Sequence, residues 1–175
     1  MWKDYPSLKD AWNKKAAHIN PNVRVIMGHF PMRLFDGLFP DATRIIWLRN
    51  PVDRVVSAYN HYKRNGFLVG DHTQPDKSRS TKMNMRDFIA LPQQHNVMHH
   101  FFQTEETFAF IGIVERYQES LDLLQSIMGW NRRPIMSHKN KGEYKRAPSS
   151  IISRIEKYNR LDIELYEKYN DTSEA

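Results

Sequence analysis

Residues 44–62, Arg-Ile-Ile-Trp-Leu-Arg-Asn-Pro-Val-Asp-Arg-Val-Val-Ser-Ala-Tyr-Asn-His-Tyr, run from an apolar segment through a charged turn into an amphipathic helix. Few architectures accommodate that junction. Ile45, Ile46, Trp47 and Leu48 form a short continuous apolar run, β-branched and aromatic, of the kind found where a strand is buried on both faces of a parallel sheet. Asn50 suits the N-cap of the following helix, Pro51 its first position, and Asp53 the reach-back carboxylate of a capping box. Val52, Val55, Val56 and Tyr59 then recur at helical spacing and give that helix one apolar stripe. The strand delivers Arg49 to the sheet's carboxyl edge, beside a helix N-terminus whose free N–H groups favour an anion. Open α/β sheets bind ligands at that edge. From spacing alone, Arg49 reads equally as an anion ligand or as the partner of a nearby carboxylate.

The rest of the chain continues the alternation of strands and helices. Ser7 is placed to cap a helix over Leu8–Ala17. Val23–Met27 alternates through Arg24 and reads as a strand ended by Gly28 and Pro31, with a short helix over Met32–Leu38 and a turn at Pro40-Asp41. A strand over Thr43–Leu48 and a helix over Pro51–Lys63 follow. Asn65–Lys82 is polar, holds Gly66, Gly70 and Pro75, and reads as a long loop of the kind that serves as a lid or stays disordered. Helices are expected over Met85–Ala90 and Pro92–Phe102, a buried strand over Phe108–Val114, and an amphipathic helix over Arg116–Met128 with Leu121, Leu124 and Met128 aligned. Asn131–Ala147 is basic and loop-like. Ser149 is placed to cap a helix over Ile151–Tyr158, and Leu161–Tyr169 closes the chain. This is one α/β domain over residues 1–175, with a parallel sheet flanked by helices.

Composition narrows the partners. The 175 residues include 26 Lys and Arg against 20 Asp and Glu, a formal net charge of +6, which favours an anionic ligand: a nucleotide, a sulfated glycan or a nucleic acid. No recognised nucleic-acid-binding module accompanies the charge. The absence of cysteine removes disulfides, thiolate chemistry and thiolate metal sites. No apolar run approaches the roughly 18 residues of a membrane-spanning helix, and Met1–Ala17 lacks the apolar core of a signal peptide. The chain therefore reads as soluble, with a cytoplasmic location compatible and its compartment open.

Three ordered segments carry a resemblance. Arg49-Asn50-Pro51-Val52-Asp53-Arg54-Val55-Val56-Ser57-Ala58-Tyr59 resembles the 3′-phosphate-binding segment of sulfotransferases, the enzymes that use 3′-phosphoadenosine 5′-phosphosulfate (PAPS). Gly28-His29-Phe30-Pro31 resembles the Gly-His motif upstream of that arginine in the carbohydrate type, typified by heparan sulfate 2-O-sulfotransferase and its bacterial relatives. Phe110-Ile111-Gly112-Ile113-Val114-Glu115-Arg116 resembles the same group's Gly-x-x-Glu-Arg segment, and Asp162-Ile163-Glu164-Leu165-Tyr166 its terminal helix. Together they cover about residues 23–170. The resemblance implies a three-layer, P-loop-like fold and transfer of a sulfuryl group from PAPS to a hydroxyl, of carbohydrate type, leaving adenosine 3′,5′-bisphosphate.

On that resemblance Arg49 and Ser57 bind the 3′-phosphate. Arginine offers fixed forked donors and permanent charge. The alternative for Ser57 is a hydroxyl bonded back to its own helix. Arg54 reads better as a salt-bridge partner than as a second phosphate ligand. His29 is the candidate general base, since an attacking hydroxyl must lose a proton and histidine titrates near the operating pH. A structural hydrogen-bonding role is its alternative. The second histidine of that motif falls on Met27 here. Lys139, Lys141 and Lys145, in a run with Gly142 and Tyr144, form a further candidate phosphate surface whose alternative is a solvated basic face. His95 and His99 are spaced for one helix face, but no ligand set completes a metal site, and none is expected. His61, His72, His100 and His138 read as surface or loop groups. Glu115 and Arg116 read as a structural pair at a strand–helix junction, and Phe101, Phe102, Phe108 and Phe110 as core.

One departure from the family pattern stands out. A Pro-Lys-x-Gly-x-Thr/Ser loop, which wraps the 5′-phosphosulfate with backbone N–H groups, has no counterpart in Met1–Val23, and the first glycine is Gly28. The expectation is a sheet without its first strand, an edge open to dimerisation or strand exchange, and nucleotide recognition with weak or absent turnover. A non-catalytic binding or assembly module is the alternative from another class, and a nucleic-acid-binding protein a third.

Overall fold

Ile45–Leu48 (β1) lies parallel to Phe110–Ile113 (β2), in the register Ile45 to Phe110, Ile46 to Ile111, Trp47 to Gly112 and Leu48 to Ile113. These contacts come from a computed structural model that describes residue 10 and residues 22–66, 82–104, 106–132 and 147–171. The expected helix over Leu8–Ala17 and most of the stretches Asn65–Lys82 and Asn131–Ala147 lie outside the described residues. A strand pair running the same way needs a crossover, and here the helices α1 (Pro51–Asn65), α2 (Met85–Ala90) and α3 (Val97–Phe102) lie between the strands in sequence. After β2 come a 3₁₀ turn at Val114–Arg116, α4 (Tyr117–Met128), α5 (Ser149–Tyr158) and α6 (Arg160–Asp171). Among the described residues the sheet has two strands, a mixed α/β arrangement with a small parallel sheet.

The register explains the glycine of the Gly-x-x-Glu-Arg segment. Trp47 lies directly across from Gly112, and a Cβ there would come within 2.6 Å of the indole Cζ3. The Trp47 ring covers that backbone and packs against Phe110 and Tyr117, with ring centroids 5.5 and 4.6 Å away. At the opposite, amino end of the pair Arg44 is buried. Its guanidinium donates to Ala42 O at 3.2 Å and Phe39 O at 3.3 Å and sits 3.6 Å from Glu106 Oε1.

Two apolar clusters hold the helices. Val55 and Val56 of α1 pack with Tyr62, with Phe88 and Ile89 of α2, and with Ile151 and Ile155 of α5. Leu48 and Ile113, at the carboxyl ends of the two strands, meet Met98 of α3, with Leu165, Tyr166 and Tyr169 of α6 packed around them. The second cluster therefore sits directly beneath the edge where Arg49 emerges. In α4, Leu121 and Leu124 face inward as the spacing predicts. Phe110 is buried, and Phe102 stacks on Phe108 with centroids 4.6 Å apart, in keeping with core roles.

Several expectations need correction. Val23–Met27 forms no strand: it is irregular and exposed, with Val25 and Met27 at 77% and 92% of full exposure. Alternation alone does not make a strand; a neighbour must take its backbone groups, and among the described residues none does. Met32–Leu38 is a 3₁₀ turn over Met32–Phe35, after which Gly37 at φ 76° reverses the chain. Pro92–Phe102 is two pieces, a 3₁₀ turn at Pro92–Gln94 and α3, because Asn96 adopts a left-handed φ of 48° and breaks the helix. Ser149 does not cap: it is the first helical residue, and Pro148, whose carbonyl receives Ile151 and Ile152 N–H, holds the N-cap. α1 runs on to Asn65 because Gly66, at φ 78°, supplies a left-handed C-cap. No described helix is long and apolar enough to cross a membrane.

Candidate functional site

Arg49 is the first residue past β1, at the carboxyl edge of the parallel pair. Its backbone N–H points at Met98 Sδ, 3.5 Å away, which seats the turn on α3. Arg49 is half-buried and its side chain forms no hydrogen bond or close ion pair with any described residue, although the Asp53 carboxylate is near enough for the two charges to act on each other. A cation held at a sheet edge without a close ion pair is suited to an external anion.

The helix beside it is less available than the sequence suggests. Asn50 Oδ1 accepts from Val52 N at 3.0 Å and Asp53 N at 3.3 Å, Pro51 has no N–H, and Arg54 N donates to Asn50 O at 2.9 Å. The expected free N–H groups are thus already used by the chain's own cap. An anion at this edge would be held by the Arg49 side chain, with α1 contributing its dipole.

The reach-back carboxylate is also different. The Asn50 N–H donates to Glu115 Oε1 at 2.9 Å, so the acidic group of the cap comes from the turn after β2 and not from Asp53. Register is the reason. Arg49 and Asn50 follow Leu48 just as Val114 and Glu115 follow its partner Ile113. Glu115 Oε2 in turn accepts from Tyr166 Oη of α6 at 3.2 Å. Burial, reinforced by the Glu115 charge and hydrogen bond, pushes the Tyr166 phenol up to about 12. Arg116 turns to α6 as well, donating to Asn170 O at 2.7 Å and to Asn170 Oδ1 at 3.2 Å. Glu115 and Arg116 both anchor the junction, but through separate partners, Glu115 through Asn50 and Tyr166 and Arg116 through Asn170, and not as the pair the sequence suggested.

Asp53 sits on the first turn of α1. Burial raises its carboxyl above the ordinary value, the Arg49 charge opposes that rise, and Glu115 adds to it. Ser57 lies one helical turn beyond Asp53 on the same face and is half-buried. That face points away from the Val55 and Val56 stripe, so Asp53 and Ser57 lie on the outer side of α1. Arg54 faces elsewhere. It is mostly buried, donates to Gln94 O at 2.8 Å and Asn159 Oδ1 at 3.2 Å, and lies 3.7 Å from Asp162 Oδ2. Burial lowers its pKa while Asp162 supports its charge. Its structural assignment holds.

His29 is exposed on the irregular segment before the first 3₁₀ turn, and no hydrogen bond or ion pair joins it to Arg49 or Ser57 among the described residues. Its neighbour Gly28 leaves room for the Phe30 ring, which a Cβ would meet at 2.8 Å. Lys139, Lys141 and Lys145 lie outside the described residues, as do His72 and His138. His95 is committed elsewhere, its Nε2 at 2.9 Å from Ile89 O and its ring stacked 4.4 Å from that of Tyr158. His99 Nε2 lies 3.1 Å from Gln103 Nε2. His100 is no loop group: it sits half-buried on α3, its pKa lowered by burial, then by Arg33 and His99. The residues that sequence reasoning underused are Asp53 and Tyr166, although the quoted segments contained both.

Arg49 makes no hydrogen bond or close ion pair with a described residue, and Ser57 is half-buried on α1. Comparison with curated proteins gives no match, and neither does comparison with solved structures. A family model described as the sulfotransferase family matches residues 31–170, from just after His29 to near the end of α6. That match spans the Arg49 junction, the Glu115 turn and α6 in one alignment, and the chain belongs to the sulfotransferase family.

Proposed function

We propose that this chain binds PAPS at the carboxyl edge of its parallel strands and transfers the sulfuryl group to a hydroxyl acceptor, of the carbohydrate type to which its motifs are similar. The uncommitted Arg49 guanidinium at that edge, inside the family match, carries the reading. When bound, the donor supplies an electron-poor sulfuryl group and a phosphate leaving group that gains charge. The chain's own part is to hold phosphate and to move a proton. Arg49 takes the 3′-phosphate through forked, charge-assisted hydrogen bonds, and Ser57 donates its hydroxyl alongside. Lys139, Lys141 and Lys145 add cations around the nucleotide. His29 accepts the proton of the acceptor hydroxyl as general base.

All but one of these roles address the nucleotide's 3′ end or the acceptor, and only the three lysines are assigned more broadly. Recognition and turnover are accordingly separate expectations: measurable nucleotide binding with slow or undetectable transfer by this chain alone. Calorimetric titration with adenosine 3′,5′-bisphosphate tests the first. Wild type should bind, and Arg49→Ala should lose at least about tenfold in affinity, the scale of a charge-assisted contact. Undiminished binding by Arg49→Ala sinks the assignment. Transfer of radiolabelled sulfuryl group to a glycan panel tests the second, and His29→Ala should abolish whatever turnover wild type shows.

A further inference from the structure

The turn after β2 and the turn after β1 are tied together by one side chain. Glu115 accepts the Asn50 N–H on one carboxylate oxygen and the Tyr166 hydroxyl on the other, at 2.9 and 3.2 Å. Asn50 directly follows Arg49, so this bond fixes the peptide from which the Arg49 side chain springs. Four residues along the same face of α6, Asn170 receives Arg116 at 2.7 Å, so α6 grips the Val114–Arg116 turn through two residues one helical turn apart. Nothing else among the described residues takes the Asn50 N–H.

We propose that Glu115 is a positioning residue for the anion site, holding the Arg49–Asn50 turn in place, with Tyr166 of α6 fixing the Glu115 carboxylate. The proposal rests on the nucleotide reading of that edge. It makes the terminal helix part of the site although α6 need not touch the ligand. It also carries a built-in opposition. Glu115 is an anion near a site for anions, so its charge disfavours phosphate while its geometry favours it. Position and charge therefore predict opposite effects on removing it.

The test is adenosine 3′,5′-bisphosphate affinity by calorimetry, beside thermal melting, for wild type, Glu115→Ala, Glu115→Gln and Tyr166→Phe. Positioning predicts that Glu115→Ala binds about tenfold more weakly, the scale seen when the groups that orient a ligand-binding side chain are removed. Glu115→Gln should bind at least as well as wild type, because its amide oxygen still accepts the Asn50 N–H and the opposing charge is gone. Tyr166→Phe should fall between wild type and Glu115→Ala. Melting should not follow the same order, which a merely structural role would require. Tighter or unchanged binding by Glu115→Ala, or a Gln variant as weak as the Ala variant, overturns the proposal. Failure of wild type to bind overturns the nucleotide reading and this proposal with it, whereas binding that Glu115→Ala leaves unchanged overturns this proposal alone.

Discussion

Asn96 and Asp162 cap each other's helices. Asn96 Oδ1 accepts from Leu161 N at 3.0 Å and Asp162 N at 3.4 Å, at the start of α6, while the Asp162 carboxylate accepts from His99 N at 2.7 Å and Met98 N at 3.3 Å, at the start of α3. Asp162 is fully buried. Burial raises its pKa, and the His99 N–H, Arg54 and the Met98 N–H, in that order, pull it back. Removing the carboxylate leaves Arg54 buried without its counter-charge, so Asp162→Ala should cost about 3–5 kcal/mol. Asn96→Ala loses a cap and forces a left-handed φ on alanine, about 2 kcal/mol in all. Urea unfolding of both variants checks the order, and a smaller loss for Asp162→Ala than for Asn96→Ala would contradict it.

Gly112 is required by the Trp47 ring. Gly112→Ala should destabilise the protein by about 1–3 kcal/mol, the range for overfilling a packed site. In the Trp47→Leu background the same substitution should cost measurably less, because the nearer of the two rings it meets is gone and only the Phe110 edge, 2.8 Å away, remains. A double-mutant cycle on denaturation midpoints reads the coupling, and additive losses would refute the collision.

Tyr166 should titrate late. Its folded-state value is pushed up to about 12 from an ordinary value near 10, chiefly by burial and then by the Glu115 charge and hydrogen bond. A raised value means that the folded state holds the proton more firmly than the unfolded chain. The resulting stability is fully present below about pH 10 and fades as pH climbs towards 12. Stability profiles of wild type and Tyr166→Phe should therefore converge across that alkaline window and differ by a constant amount below it.

Asp53 should oppose anion binding at the Arg49 edge. Its carboxylate is near enough to Arg49 for each to influence the other, and Asp53→Asn removes a negative charge from the edge where phosphate is expected. Nucleotide affinity should rise about fivefold at low salt, corresponding to roughly 1 kcal/mol for a partly hydrated charge pair, and the gain should shrink as salt is added. Weaker binding by Asp53→Asn would show instead that Asp53 holds Arg49 in position.

Local signals were the legible ones. The α1 cap, its first-position proline and its valine stripe are all written within a few consecutive residues, and the structure has them at Asn50, Pro51 and Val52–Val56. Both strands of the parallel pair were readable as short apolar runs, and Leu121 and Leu124 as the buried stripe of α4. Val23–Met27 has the right alternation yet no described neighbour to pair with. Pro92–Phe102 carries no helix breaker of its own strength; Asn96 breaks it because its side chain is engaged by α6.

The sequence by itself determined the strand–helix junction and the placement of Arg49 at its end, since both follow from the order of apolar, capping and charged residues along a short segment. Only the tertiary structure decided which groups remain available there. Asn50 consumes the helix's free donors, Glu115 reaches Asn50 across 65 residues, and Asp162 reaches His99 across 63. A hydrogen bond between distant residues depends on the register of two strands and the seating of a helix, and no local pattern encodes either. That is why Arg49 was visible as a cation in the chain, while the weak opposition of Asp53 and the lack of any close ion pair with a described residue became visible only in the fold.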